Sequence, residues 1–351
     1  MSGLTDFQEI PVIDVAGLFG TPEEQAAVAE ELRVAASEVG FLYVKGHGVP
    51  EHLFEGLLAE AKRFFALPME KKMEVYIGNS TNHRGYVPTG EEGSGAVPLE
   101  EVVKPRDLKE AFDTSLELPA DDPEYLAGNP MLGPNQWPDL PGMAETVTAY
   151  YEATIAFGKV LLRGFAAALG DEPTAFDHLV TRAPSQLRLI HYPVDPTAVD
   201  AQGIGAHTDF EVFTMLRPTK PGLEVLNSAG EWIDAPPVEG TYVVNIGDML
   251  EIMSNGAFVS TTHRVRKVTE ERYSFPLFFN VDYDVFVEPL PRFVREDGTN
   301  KIGLKAGEHL YAQTVQVFGY LQKRLAANEI SMPEVWVTAE EFGRQPSQAA
   351  M

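Results

Sequence analysis

Residues 203–213, GIGAHTDFEVF, decide how the chain is read. A histidine and an aspartate stand two positions apart with a small threonine between them, just before a run of β-branched and aromatic residues. Successive side chains of a strand point to opposite faces, so the spacing predicts His207 and Asp209 on one face and Thr208 on the other. An imidazole and a carboxylate so placed can grip one object.

A third partner stands further along. His263 lies in VSTTHRVRKV, a second β-patterned segment that follows the turn MSNGAF. Two histidines and one carboxylate from different strands make a facial ligand set suited to Fe(II), which leaves neighbouring coordination positions open. Nitrogen and oxygen ligands allow a change of redox state, whereas a closed thiolate site would be structural. The plainer alternative stays open here: His207 caps a turn, His263 sits in the core and Asp209 is a solvated loop residue.

Composition narrows the field. The 351 residues carry 52 Asp plus Glu against 27 Lys plus Arg, a formal net charge of −25, which repels phosphate backbones and anionic lipid. The expectation is a small-molecule substrate, with neither nucleic acid nor membrane as partner and the oligomeric state open. There is no cysteine, so thiolate sites, disulfides and cysteine nucleophiles are excluded, and any metal is held by nitrogen and oxygen. No basic start leads into an apolar run and no stretch approaches membrane-spanning length, which points to a soluble cytoplasmic protein.

The pattern along the chain is uneven. IPVIDV reads as a strand, TPEEQAAVAEELRVAASEVG as a helix capped by Thr21 with Pro22 in its first turn, FLYVKGHGV as a strand and turn, and EHLFEGLLAEAKRFFAL as an amphipathic helix. Residues 85–142 are rich in Gly, Pro and acids and form a candidate lid. A long helix near 144–169 turns Val147, Tyr151, Thr154, Gly158, Leu161, Phe165 and Leu169 to one face. Short β-rich segments follow from 186 to 287, the mark of a sandwich or barrel, and HLYAQTVQVFGYLQKRLA returns to helical periodicity. The expected division is an N-terminal helix and strand region with the lid, 1–142, and a core with backing and C-terminal helices, 143–351, in one structural unit.

A second constellation, ERYSF, follows nine residues after His263. If HRVRKV and RYSFPLFF are antiparallel neighbours, Arg272 and Ser274 share a face and enter the same mouth as the ligands. An arginine fork beside a hydroxyl suits a carboxylate. In LRLIHYP, Arg188, Ile190 and Tyr192 alternate onto one face, and the Tyr192 phenol can add a hydrogen bond. Taken singly, Arg272 has a surface ion pair with Glu270 or Glu271 as its alternative, and Tyr192 an ordinary core position.

With those residues in view, the chain resembles the 2-oxoglutarate and Fe(II)-dependent oxygenases of the isopenicillin N synthase-like superfamily. The ligand set with RYS at 272–274 carries the likeness, and IPVIDV, GFLYVKGHGV, FFALPMEKK and NIGDMLEIMSNGAFVSTTHRV extend it over nearly the whole length. The resemblance implies a mainly β fold with flanking helices around a double-stranded β-helix, or jelly roll. It also implies iron on His207, Asp209 and His263, and a 2-oxoglutarate C5 carboxylate on Arg272 and Ser274 assisted by Tyr192. Dioxygen and 2-oxoglutarate would be consumed, succinate and carbon dioxide released, and a substrate hydroxylated by default. His47, His191 and His309 are not expected as ligands. Where many plant members carry Asn-Tyr-Tyr-Pro this chain has Ile190-His191-Tyr192-Pro193, so one amide contact is missing. Isopenicillin N synthase uses the same cluster without 2-oxoglutarate, so a co-substrate-free oxidase is the alternative, with a noncatalytic metal- or metabolite-binding jelly roll behind it.

For the primary substrate, Arg188 is expected on the substrate side of the metal, facing a substrate carboxylate or a structural acid such as Glu110 or Asp113. Arg84 and Tyr86 in HRGYVPTG, with Phe278 and Asn280 on the face of Ser274, complete the candidate wall. An apolar wall with a few polar anchors suits a small, carboxylate-bearing metabolite.

Overall fold

The computed structural model describes residues 4–93, 107–194 and 202–334. The N-terminal part runs β1 (Val12–Asp14), α1 (Pro22–Glu38), β2 (Phe41–Lys45), α2 (Glu51–Phe65), α3 (Met69–Met73), β3 (Gly85–Val87), β4 (Glu110–Ser115), α4 (Pro123–Leu126) and α5 (Met143–Ala168). Then come β5 (Gln186–Tyr192), β6 (Ile204–His207), β7 (Phe213–Pro218), β8 (Leu223–Leu226), β9 (Trp232–Asp234), β10 (Tyr242–Ile246), α6 (Asp248–Met253), β11 (His263–Val265) and β12 (Arg272–Phe279). The chain goes on through β13 (Phe286–Val287), β14 (Leu304–Lys305), α7 (Ala306–Val317) and α8 (Gly319–Ala326).

Local chemistry explains the boundaries that matter. Thr21 and Glu24 form a reciprocal capping box at the start of α1, with Pro22 in the first turn where its missing N–H costs nothing. Gly158 lets α5 approach the sheet closely, because a Cβ there would lie 2.5 Å from the Phe279 ring.

Two sheets face one another. The major sheet has the order β1-β2-β10-β7-β12-β5-β4-β3 and the minor sheet β6-β11-β8-β9. This is the jelly-roll core with flanking helices, although the sheets do not close into a barrel. The outer face of the major sheet buries Phe213, Met215, Tyr242, Phe275 and Phe279 with α1, α2 and α5 in one hydrophobic core that includes Leu32, Phe64, Val147 and Leu161. Burial of this apolar area is the main stabilising term.

Register fixes the inner face. Arg272 pairs with Tyr192, Ser274 with Ile190 and Pro218, and Phe278 with Gln186 and Thr214. Asp113 pairs with Arg188, and Asn245 with Thr214. Side chains at paired positions share a face, so these residues line the interior.

Three expectations are corrected. HRVRKV and RYSFPLFF are not neighbours: β11 pairs with β6 and β8 in the minor sheet, whereas β12 lies between β7 and β5 in the major one. The ligands and the arginine fork therefore meet across the gap between sheets. The segment 85–142 is not all lid, since β3 and β4 extend the major sheet; their connection, of which 94–106 lies outside the described residues, and the stretch 116–142 with α4 are free of it. The final helix is broken at Phe318, which is extended (φ −95°, ψ 124°). There Gly93 N–H donates to Val317 O and Gly319 N–H to Glu91 O, so a docked segment takes the groups a continuous helix would use.

Candidate active site

Sequence order brings His207 to the last position of β6 and His263 to the first of β11, and the two are register partners with ring centroids 4.2 Å apart. Asp209 is not on the strand, as the alternation predicted, but two residues past its end. That turn is laced to α6: Asp248 N–H donates to Asp209 O at 2.9 Å and Met249 N–H to Glu211 O at 3.1 Å. Gly247 permits the approach, because a Cβ there would sit 2.2 Å from Glu211 O.

Hydrogen bonds orient all three side chains. His207 Nδ1 meets Gly205 O at 2.8 Å and His263 Nδ1 meets Thr261 O at 3.1 Å, which makes each Nδ1 the donor and turns each Nε2 inward as an acceptor. Both Nε2 atoms lie 3.6 Å from Asp209 Oδ1. Asp209 Oδ2 accepts from Thr214 Oγ1 and from Asn245 Nδ2, the latter at 2.7 Å, so Oδ1 is left for another partner. The donor atoms all fall within 4.8 Å of one another, the only such histidine and carboxylate group among the described residues.

Electrostatics put His207 and Asp209 in their ligating forms. Burial foremost, with the neighbouring His263, lowers His207 to about 4, so its imidazole is neutral near pH 7. Burial pushes Asp209 up, but His263, His207 and the bonds from Thr214 and Asn245 outweigh it and hold the carboxyl below its usual range. Two imidazoles and a carboxylate on one side of a point fit a divalent first-row metal with positions left open.

The major sheet supplies the second half. Arg272 is fully buried; its Nε donates to Lys220 O at 3.0 Å and its guanidinium lies 4.6 Å from the centroid of the Tyr192 ring. Nη1 and Nη2 are buried with no hydrogen-bond partner among the described residues. A buried cation with two orphaned donors is costly unless an anion completes it. Ser274, also buried, follows Arg272 on the same face. The donor set fits a carboxylate entering from the metal side.

The structure sorts the expected substrate residues. Arg188 lies on the inner face, but Nε and Nη2 fork onto both oxygens of Asp113 at 2.7 Å and Nη1 meets Glu92 Oε1 at 2.6 Å. Of its two foreseen kinds of partner, the structural acid is present. Arg84 is fully buried and spends Nη1 on Asn82 O and His83 O and Nη2 on Met131 O, away from the metal. Tyr86 pairs with Phe112, the face opposite Arg188, and donates to Glu110 Oε2 at 2.6 Å. Phe278, half-buried, and Asn280, fully buried, do lie along the inner wall. Sequence reasoning missed Thr214, Asn245, Glu92 and Gln186; the alternation of FTML and YVVNI carried a signal for the first two, whereas Glu92 gave none.

A jelly roll holding two histidines, a carboxylate and an arginine fork defines a non-haem iron dioxygenase class. Comparisons with known proteins agree. Residues 10–140 match the non-haem dioxygenase in morphine synthesis N-terminal family, and residues 183–281 match the 2OG-Fe(II) oxygenase superfamily. A homoarginine-6-hydroxylase of Glycine max is 36% identical over 90% of this chain and 98% of its own length. A clavatol oxidase of Penicillium crustosum is 35% identical over 91% and 96%. The full-length Neurospora crassa structure solved in complex with alpha-KG superposes with a TM-score of 0.75 at 29% identity, covering 92% and 97% of the two chains. The chain belongs to the 2-oxoglutarate and Fe(II)-dependent oxygenase family. It is a dioxygenase that uses Fe(II), 2-oxoglutarate and dioxygen. No helix among the described residues is long and apolar enough to cross a membrane.

Proposed function

We propose that His207, Asp209 and His263 hold the iron, and that Arg272 and Ser274, with Tyr192 beside them, hold the C5 carboxylate of 2-oxoglutarate. The observation that carries this reading is the pair of orphaned Arg272 Nη atoms on the inner face opposite the triad. Iron and 2-oxoglutarate supply the oxidising chemistry. The chain's own residues fix the imidazole tautomers, direct Asp209 Oδ1 and neutralise the co-substrate's far end. Hydroxylation of a small molecule follows, with release of succinate and carbon dioxide.

Phe278 and Asn280 are assigned to the substrate wall, and Arg188 to shaping it. The work takes place in the cytoplasm, in a chain of two parts, 1–142 and 143–351, that share one core. Support for the shared core comes from Leu32 and Phe64 packing in one cluster with Phe275 and Phe279.

The test is anaerobic addition of Fe(II) and 2-oxoglutarate, followed by dioxygen. A metal-to-ligand charge-transfer band and succinate formation are expected. A band-free protein that oxidises a substrate without making succinate would be a co-substrate-free oxidase, and one that binds metal without turnover would be a binding protein.

A further inference from the structure

The inner wall beyond Arg188 ends in two side-chain amides. Gln186 starts β5 and pairs with Phe278; Asn280 lies one residue past β12, in step with Arg272, Ser274 and Phe278. Gln186 is 7% exposed and Asn280 is fully buried. Gln186 Nε2 and Asn280 Nδ2 have no hydrogen-bond partner among the described residues. The orientation of the Asn280 amide is set by its neighbours, because Oδ1 accepts from Val281 N–H at 2.9 Å and a flip would place donor against donor. Nδ2 is therefore the free end. Buried amide N–H groups left unpaired are costly and rare, so two on one wall mark a place made for an acceptor.

The charges around them select the acceptor's kind. Arg188 is taken up by Asp113 and Glu92, and Lys109 by Glu92. Asp107, which accepts from Gly205 N–H and lies within electrostatic reach of His207, adds a further acid. Three carboxyl groups thus face two cations, with Asp209 reserved for the metal. A substrate carboxylate would enter as a fourth acid with no cation to spare.

We infer that Gln186 and Asn280 anchor the primary substrate through a neutral acceptor oxygen, a carbonyl, lactam or hydroxyl, and that the chamber prefers neutral or cationic molecules to plain carboxylates. This rests on the oxygenase reading above and replaces the carboxylate-bearing substrate expected from sequence.

The experiment uses the full chain loaded with Fe(II) and 2-oxoglutarate. Substrate-stimulated succinate release is measured with thymine as a neutral lactam, agmatine as a cation without a carboxylate and indole-3-acetate as a plain carboxylate. Stimulation by thymine or agmatine is expected. Preference for indole-3-acetate, or stimulation by none of the three, overturns the inference. Gln186→Glu and Asn280→Asp keep size and exchange the free donor for an acceptor, and each is expected to raise KM for the accepted probe at least about tenfold, the weight of one such bond. An unchanged KM in both variants means that the amides hold ordered water only and overturns the anchor. Gln186→Met separates recognition from folding: with no partner to lose, its Tm is expected within about 2 °C of the parent, and a larger fall assigns Gln186 to structure. The charge-transfer band guards the premise. Its absence in the parent protein would remove the oxygenase reading, whereas its presence with the wrong probe preference removes only the anchor.

Discussion

Asn245 reaches from the major sheet to Asp209 of the facing turn, its Nδ2 2.7 Å from Asp209 Oδ2. Thr214, the register partner of Asn245, donates to the same oxygen. The carboxylate is thus held by strands it does not belong to, and its one unoccupied oxygen is the atom that faces both imidazoles. The metal site is defined only when the two sheets have come together.

Asn245→Leu should therefore weaken metal binding without removing a ligand. Partners that orient ligands are typically worth 10- to 100-fold in metal affinity, and a loss of about that size is expected in an Fe(II) titration. Circular dichroism should remain that of the parent. Parent-like affinity would show that Asp209 is held well enough by Thr214 alone.

Asp209→Ala removes the anionic ligand itself. Turnover should vanish while the fold persists, because the bonds that lace the turn to α6 are made by backbone groups of Asp209 and Glu211. His207→Ala and His263→Ala should behave alike. Full iron content and activity in each single variant would sink the triad assignment.

Arg272 offers a cleaner separation of stability from function. Arg272→Lys replaces a planar fork by a point charge, and its affinity for 2-oxoglutarate should fall by about 10- to 100-fold. Arg272→Leu should bind the co-substrate worse still, yet should not lower the Tm of the unliganded protein, since it deletes a buried charge whose Nη atoms have no partner. Unchanged co-substrate affinity in both variants would move the C5 carboxylate elsewhere.

How far the sequence exposed this arrangement depends on whether a feature is local. The period-two and period-3.6 patterns located α1, α2, α5 and the site-bearing strands, because burial of one face is written into spacing. His207, Asp209, His263, Arg272 and Ser274 stood out as candidates through their spacings taken together with the family resemblance, since each spacing alone left a plainer alternative open. Sheet membership was not: nothing in HRVRKV says that β11 leaves β12 for the facing sheet, since strand partners follow from long-range packing. Tyr86 illustrates a further limit. Its place in the glycine-flanked segment HRGYVPTG of the candidate lid suggested the site, but the register of β3 on β4 turns its ring to the outer core beside Phe64. Arg188 showed its face and, in Asp113, one of its partners, but not the second, because Glu92 lies far off in a segment without periodic pattern.

Glu92 carries the last prediction. It meets Arg188 at 2.6 Å and pairs with Lys109, all three being buried. Burial pushes its carboxyl up, but the two cations outweigh this and hold the pKa at about 2. A carboxyl depressed in the folded state stabilises fully above its unfolded value near 4.5 and loses that contribution as pH falls toward 2. The loss amounts to about 3 kcal/mol at most by linkage. Asp113 opposes part of it, since burial foremost raises its pKa despite Arg188. Urea titrations of Glu92→Gln should show lower stability at pH 7 and a shallower decline between pH 4.5 and 2 than the parent. Arg188→Ala strands Asp113 and Glu92 without their shared cation and should cost about 3–5 kcal/mol. A parent-like Arg188→Ala would mean that the ion network is dispensable, and would return the Arg188 guanidinium to the substrate.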